Sequence, residues 1–191
     1  NIDFIQGDLL DLKTINRKFD IIESVGVLHH MNDPFKGWKI LKSCLNDNSL
    51  MLIGLYSEKA RIHISQIKNK IDKLKLQTNA KNIIKFRKDL FKRNNIEWDY
   101  IKSSPDFYTV SGVRDLLFHV QEHQFTISKI KEYLEQLGLI FLGFEDKIVI
   151  EKFKKIYTNK ADLYNLNKWE EYENSNPRIF AGMYQFWCKR I

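Results

Sequence analysis

One stretch of the sequence constrains the fold more than any other, because it reads as strand, helix and strand in succession. Phe19–Val25 is an apolar strand candidate, and Leu50–Tyr56 is a near-continuous apolar run of the kind that is covered on both faces of a parallel sheet. Between them, Asp33 is a good helix N-cap and Pro34 suits the first helical position. This order predicts a right-handed βαβ unit and, with it, an α/β fold with a mostly parallel sheet.

The remaining elements follow from the same signals. We expect a short strand at Ile2–Ile5, and an end of the first helix at Asn46-Asp47-Asn48, since Asn tolerates the left-handed C-cap conformation. Thr126 or Ser128 caps a helix that Gly138 ends. The other predicted elements are basic amphipathic helices at 60–76 and 79–93, a helical turn at 112–118, strands at 139–144 and 180–188, and helices at 146–156 and 161–173. The predicted inner faces of the two amphipathic helices carry Ile64, Ile67, Ile71 and Leu74, and Ile83, Ile84, Leu90 and Phe91.

Length and composition exclude several classes of protein. The chain has 191 residues, of which 43% are hydrophobic and 13% aromatic, enough for the core of one globular domain. No apolar run reaches the roughly 18 residues of a membrane span, and the N-terminus lacks the features of a secretory signal. Two cysteines, Cys44 and Cys188, are too few for a disulfide framework, so we expect a cytoplasmic protein without a membrane partner.

The positive charge is concentrated in one segment. The net charge is +7, yet the segment from Lys59 to Arg93 contains twelve basic residues and only two acidic ones. A basic patch for nucleic acid or another anionic partner is conceivable there, as a non-catalytic binding module. Because lysine is abundant along the whole chain, a solvated helix surface is the favoured interpretation.

Polar residues follow the first two predicted strands. Gly7-Asp8-Leu9 comes after Ile2–Ile5, and Glu23-Ser24-Val25-Gly26-Val27-Leu28-His29-His30 closes the second strand. This pattern resembles class I S-adenosylmethionine-dependent methyltransferases, and more narrowly bacterial ones that are often fused to tetratricopeptide repeats. The resemblance implies a Rossmann-like sheet of strand order 3-2-1-4-5-7-6 with an antiparallel last strand. It also implies S-adenosylmethionine as cofactor.

The resemblance also assigns roles to residues. Asp8 would accept a hydrogen bond from the adenine amine, and the Leu9 N–H would donate one to the ring. Glu23, Ser24 and Val25 would line the methionine end of the cofactor. The alternative interpretation is that Asp8 binds no cofactor and only caps the turn.

His29 would lie where the methyl group meets its acceptor. It would act there as a base if the nucleophile must lose a proton. Alternatively, His29 shapes the wall of the pocket. We expect His30 to serve the scaffold.

A second motif lies further along the chain. His119-Val120-Gln121-Glu122-His123 matches H-x-x-E-H, in which two helical histidines bind zinc and the glutamate acts as base. A zinc-dependent hydrolase using His119, Glu122 and His123 is therefore an alternative function. In the resembling methyltransferases this stretch covers the acceptor site, so Arg114, Asp115, His119 and His123 are expected acceptor or lid residues, and no metal is expected.

The resemblance begins at strand 3 of the family. The glycine-rich loop after the family's strand 1 is absent, since no GxGxG occurs in the sequence. We therefore expect residues 1–191 to be the C-terminal part of a methyltransferase domain, with a basic helical insertion at 58–107. The missing partner is then the upstream part of the same domain. The methyl acceptor is not identified by the sequence.

Overall fold

The computed structural model describes residues 2–92, 96–119 and 121–190. They form two compact units, one of residues 1–60 and 122–191 and one of residues 61–121. The predicted helix end at Arg93 and the middle of the H-x-x-E-H motif, Val120, lie outside the described residues. Within the described ranges, none of the helices combines the length and the apolar character that a membrane crossing needs.

The first unit is built on a four-stranded mixed sheet. Its strands are β1 (Phe19–Val25), β2 (Leu45–Leu55), β3 (Leu139–Phe144) and β4 (Tyr184–Arg190), in the spatial order β1-β2-β4-β3. β1 pairs with β2 in parallel, and β4 pairs with both β2 and β3 in antiparallel orientation. The α/β class and the antiparallel last strand are confirmed. Because β4 lies between β2 and β3, however, only one of the three pairings in this described sheet is parallel.

Two helices of this unit begin at predicted capping residues, and one of them also ends at its predicted residue. The helices of the unit are α1 (Pro34–Ser43), α6 (Ile127–Leu137), α7 (Lys147–Lys154) and α8 (Leu166–Ser175). The Asp33 side chain accepts a 3.0 Å hydrogen bond from the Lys36 N–H at the start of α1, and Thr126 caps α6 in the same way. Gly138 ends α6 at a φ of +57°. The predicted helix at 161–173 is instead a 3₁₀ helix, Lys160–Tyr164, followed by α8.

Two predictions in this unit are wrong. Ile2–Ile5 is outside any strand and its apolar side chains are exposed, because the segment pairs with no strand in the described residues. The Asn46-Asp47-Asn48 segment does not end α1, which stops at Ser43; it belongs to β2. Asn48 does adopt a left-handed conformation (φ +61°), but it does so inside the strand, where the β1–β2 register slips between Phe19 and Ile21.

The last strand also starts later than predicted. It begins at Tyr184, whereas Phe180 lies in the preceding turn, with its ring centroid 4.6 Å from that of Phe144.

The core of this unit centres on β2, where Met51–Leu55 are buried in succession, and on the large side chains Trp38, Phe153, Trp169 and Phe186. Both cysteines are buried and free of disulfides, and burial raises the pKa of Cys188 to about 12.

The second unit consists of helices. These are α2 (Ile62–Lys73), α3 (Ala80–Phe91), α4 (Ile96–Lys102) and α5 (Val110–Leu117), with a 3₁₀ helix at Pro105–Tyr108. Ile64, Ile67, Ile71, Ile83 and Leu90 are buried as predicted. Leu74 and Phe91, at the C-terminal ends of their helices, are exposed instead.

The chain leaves and re-enters the first unit at two adjacent segments. Ser57 and Phe125 form a parallel bridge. The Phe125 N–H donates to the Tyr56 carbonyl at 2.8 Å, and the Glu58 N–H donates to the Phe125 carbonyl at 2.9 Å. These two hydrogen bonds, which make up the bridge, hold the two segments side by side at the end of β2.

Candidate functional site

The candidate site lies at the carboxyl edge of the sheet. β1, β2 and β3 end there at Val25, Leu55 and Phe144, and the antiparallel β4 begins there at Tyr184. In open α/β sheets, ligands bind outside the carboxyl ends of the strands because the loops and helix N-termini there present backbone groups. The residues at this edge are therefore the candidates for binding and catalysis.

His29 is held at this edge by its neighbours. After β1 the chain turns at Gly26, which has a φ of +78°, and forms a 3₁₀ helix over Leu28–His30. The His29 side chain is fully buried, with its ring centroid 4.0 Å from that of Tyr56 and 4.3 Å from that of His30. The backbone N–H of His123 donates a 2.7 Å hydrogen bond to the His29 carbonyl. Packing thus holds the imidazole in position, and the hydrogen bond holds the His29 backbone.

Tyr56 is a site residue that the sequence did not single out. It directly follows β2 and closes the predicted strand Leu50–Tyr56. A polar aromatic residue at the carboxyl end of a buried strand is the signal that would have indicated it.

The three residues predicted at the methionine end of the cofactor do not share one face of β1. Ser24 is buried, and its Oγ has no hydrogen-bond partner among the described residues, whereas the flanking Glu23 and Val25 are exposed. Side chains alternate along a strand, so Ser24 points to one face of the sheet and its neighbours to the other. A buried hydroxyl without a partner is costly, so Ser24 is the buried one of the three whose side chain has an open hydrogen-bonding capacity.

Asp8 and Leu9 begin a 3₁₀ helix, Leu9–Ile15. The Asp8 carboxylate accepts a 2.8 Å hydrogen bond from the Leu10 N–H and so caps this helix. Leu9 is half-buried against the core of the sheet unit. The capping role that turn chemistry offers Asp8 is therefore present, and the adenine-binding role remains a prediction.

The predicted acceptor residues are divided between the two units. Arg114 and Asp115 are exposed on α5, and His119 follows that helix, where its Nδ1 accepts a 3.3 Å hydrogen bond from the Gln121 N–H. His123 is half-buried and belongs to the sheet unit. Their role toward an acceptor stays a prediction.

The H-x-x-E-H motif does not have the conformation that zinc binding requires. His119 and residues 121–124 lie outside helices, so the two histidines are not placed one helical turn apart. The Glu122 carboxylate accepts a hydrogen bond from the Gln124 side chain at 3.2 Å. In the part of the chain that the structure describes, no three His, Cys, Asp or Glu side chains are clustered as metal ligands. The geometry therefore does not support the zinc hydrolase alternative.

A buried polar cluster, Ser57–Glu173–Tyr184, lies at the same edge and was not predicted. Glu173 on α8 is fully buried, and its Oε1 accepts hydrogen bonds from the Ser57 Oγ at 2.7 Å and the Tyr184 hydroxyl at 2.6 Å. Its Oε2 has no partner among the described residues. Burial raises the pKa of the Glu173 carboxyl, and burial together with the neighbouring carboxylate also raises the pKa of Tyr184.

A small cavity also lies at this edge of the sheet. It has a volume of about 230 Å³ and opens between the end of β3 and the start of β4, where Glu145, Asp146 and Gln185 supply polar groups. The two carboxylates already have local roles. Glu145 accepts from the Trp187 indole N–H at 2.5 Å, and Asp146 caps α7.

The fold is similar to that of a protein of known structure. The chain is similar to PKMT2 from Rickettsia typhi, with a TM-score of 0.68 and 14% identity over 94% of this chain. A structure of the same protein in complex with AdoHcy gives a TM-score of 0.58 and 15% identity over 95% of this chain. At this level of identity the similarity shows a shared fold.

The sequence comparisons are more limited. No family model matches the chain. It is 27% identical to the uncharacterized protein syc1184_c of Synechococcus sp. over 181 residues, which are 90% of this chain and 43% of that protein. The chain likewise covers 37% of each PKMT2 chain. It thus spans less than half of the length of the proteins that it matches, and its fold is that of a protein solved with AdoHcy.

Proposed function

We propose that the protein carries out S-adenosylmethionine-dependent methyl transfer. The observation that carries the proposal is the order β1-β2-β4-β3 with a reversed β4, in a fold shared with PKMT2, of which one structure holds AdoHcy. AdoHcy is what remains of S-adenosylmethionine after the methyl group has left. The strand order matches the 4-5-7-6 half of the sheet that the resemblance implies, and it supports assigning the carboxyl edge to the cofactor.

The cofactor would be held by the residues at the start of this edge. Asp8 would accept from the adenine amine with the oxygen that does not cap the 3₁₀ helix, and the Leu9 N–H would face a ring nitrogen. Glu23 and Val25 would contribute mainly backbone groups at the methionine end. The open hydrogen-bonding capacity of the Ser24 Oγ supports a role for this side chain toward a bound ligand.

His29 would act on the methyl acceptor. Methyl transfer is an in-line displacement at the carbon attached to sulfur, so the protein contributes mainly by holding donor and acceptor in line. A base is needed only for a nucleophile that must lose a proton, and imidazole suits that task near neutral pH. The fixed position of the ring against Tyr56 supports this role. His123 and, in the helical unit, Arg114, Asp115 and His119 are proposed acceptor contacts.

We further propose that the rest of the cofactor site comes from other parts of a longer protein. β1 is an edge strand in the described sheet, and it exposes the apolar side chains of Ile21 and Val25. An apolar edge of this kind suits pairing with a further strand. The absence of a GxGxG loop in the sequence supports the same arrangement, since such a loop lets the backbone approach a nucleotide closely.

The test is AdoHcy binding by titration calorimetry, with transfer of a labelled methyl group as a second readout. The longer protein should bind AdoHcy stoichiometrically at micromolar concentration, and the 191-residue chain alone should not bind. No binding by the longer protein would contradict methyl transfer. Stoichiometric binding by the 191-residue chain would contradict the proposal that the site is completed from elsewhere.

A further inference from the structure

The helical unit contains a cavity that the methyltransferase proposal does not use. It has a volume of about 500 Å³ and is lined by residues of α2, α3 and α4. This volume is within the range of about 300–1,000 Å³ that is typical of small-molecule sites. Its wall is apolar, formed by Leu76, Phe86, Leu90 and Trp98. Leu90 and Trp98 are buried, so the wall is part of the packed core of this unit.

The mouth of the cavity is positively charged. Lys70 and Lys73 from α2 and Lys85 from α3 line it, against a single acidic residue, Asp89. The three lysines are exposed, and the Lys70 Nζ lies 4.8 Å from the centroid of the Trp98 ring. A cation therefore stands over the aromatic part of the wall, where apolar and anionic parts of one ligand could be contacted together.

We propose that this cavity binds an anionic amphiphile, a molecule with an apolar body and one carboxylate, as in a medium-chain fatty acid. The hydrocarbon would replace water against Leu76, Phe86 and Trp98, which is favourable in proportion to the apolar area that is covered. The carboxylate would stay at the mouth, near the ammonium groups of Lys70, Lys73 and Lys85. Lysine suits this position because it is a flexible point charge that does not require a planar partner. The proposal is independent of methyl transfer.

A nucleic acid is the other anionic partner that the basic segment suggests. Its phosphates would need lysines that follow the backbone along an extended surface. Here the cavity instead combines a group of lysines with an apolar wall, which fits one anionic head and one hydrocarbon body. Nucleic acid binding therefore becomes an outcome of the test.

The experiment is titration calorimetry of the 191-residue chain with dodecanoate, kept below its micelle concentration. Dodecanol and dodecyltrimethylammonium serve as neutral and cationic ligands with the same chain length. We expect saturable binding of one dodecanoate and at least about tenfold weaker binding of the other two, because only the carboxylate is attracted to the lysines. Equal affinity for dodecanol, or no saturable binding of dodecanoate, would overturn the proposal.

Two pairs of variants test the residues. Lys70→Met with Lys85→Met should weaken dodecanoate binding about tenfold. Lys81→Met with Lys88→Met removes the same charge from exposed positions of α3 outside the cavity and should leave the affinity unchanged. Equal losses in both double variants would overturn the site.

The second pair uses an exposed residue at the mouth, so that the fold is preserved. Leu74 is 64% exposed and lines the cavity. Leu74→Glu should abolish dodecanoate binding, whereas the uncharged Leu74→Gln should retain most of it. Binding that survives Leu74→Glu would contradict the proposal. So would tighter, steeply salt-dependent binding of a thymidine oligonucleotide that Lys81→Met with Lys88→Met also weakens, since that result assigns the surface to nucleic acid.

Discussion

The backbone N–H of His123 donates a 2.7 Å hydrogen bond to the backbone carbonyl of His29. The bond fastens the segment that returns after the helical unit to the turn that follows β1. Because it uses main-chain atoms on both sides, it holds the His29 backbone in place whichever side chains occupy the two positions. The effect of changing the His29 side chain can therefore be separated from the effect of moving its backbone.

Replacing His29 by Phe should lower the rate of methyl transfer by about a hundredfold or more if His29 is a base. Phenylalanine keeps an aromatic ring to pack against Tyr56 but cannot accept a proton. AdoHcy affinity should hardly change, because the proposed role concerns the acceptor. The measurement is the turnover and the AdoHcy affinity of the longer protein.

His30→Phe is the matched control, since His30 is half-buried next to His29 and is assigned to the scaffold. Its turnover should stay close to that of the unchanged protein. A loss of less than about tenfold in His29→Phe would leave His29 only a positioning role.

Asp8→Ala should weaken AdoHcy binding by about 1–3 kcal/mol, because the adenine amine would be left without its acceptor. Asp11→Ala removes a carboxylate from the same 3₁₀ helix at an exposed position and should have little effect. Titration calorimetry on the longer protein distinguishes the two. Unchanged affinity in Asp8→Ala would limit Asp8 to the cap that it forms with the Leu10 N–H.

Glu173 should make the stability of the sheet unit depend on pH. Its pKa is raised in the folded state by burial, so the folded protein holds the proton more tightly than the unfolded chain. The free energy of unfolding is then highest below the unfolded pKa and falls as the pH rises through the folded pKa. Thermal melts across this range should show the decrease, and Glu173→Gln should remove it.

Glu171→Gln is the control on the same helix. The pKa of Glu171 is lowered, chiefly by its hydrogen bond with Lys168, so its contribution is present above the unfolded pKa and is lost as the pH falls through the folded pKa. This residue is exposed, and its effect should be small and opposite in sign. A melting temperature that depends on pH in the same way for Glu173→Gln and the unchanged chain would contradict the assignment.

Gly54→Ala should destabilise the sheet by about 1–3 kcal/mol through overpacking. A Cβ at position 54 would lie 2.7 Å from the Val25 Cγ1 and 3.0 Å from the Val25 Cα in the neighbouring strand. At Gly182 a Cβ would meet nothing within 4 Å, so Gly182→Ala should be nearly neutral. Thermal unfolding compares the two variants, and equal melting temperatures would contradict the close approach of β1 and β2 at Gly54.

Local signals predicted the elements whose ends are set by neighbouring residues. Asp33-Pro34 gave the start of α1, and Thr126 and Gly138 gave both ends of α6, because caps form within three or four residues of the chain. The Asn46-Asp47-Asn48 segment also contains residue types that favour a helix end, but it does not end α1. It belongs to β2, where cross-strand contacts such as that between the Asn46 and Asp20 side chains take part. A local pattern carries no information about that pairing.

The candidate site was predicted only where it follows strand ends. His29 and Ser24 became candidates because they lie at or just after the end of a predicted strand, whereas Glu173 and Tyr184 have no such position. The Ser57–Glu173 hydrogen bond joins residues 116 positions apart, and no spacing rule connects a serine after β2 with a glutamate on α8. The zinc site predicted from the H-x-x-E-H pattern is not supported by the structure. Five residues match the motif, but its two histidines lie outside the helix that would bring them together.

The bridge between Ser57 and Phe125 has a consequence for how such a chain can vary. The points where residues 61–121 depart and return are adjacent, so a change in the length of chain between them changes the loop-closure entropy only slowly. We therefore expect that the helical segment can be lengthened or shortened without a change in the pairing of β1 and β2. The edge of the sheet that carries His29 and Tyr56 can therefore keep its structure when the inserted segment changes in length.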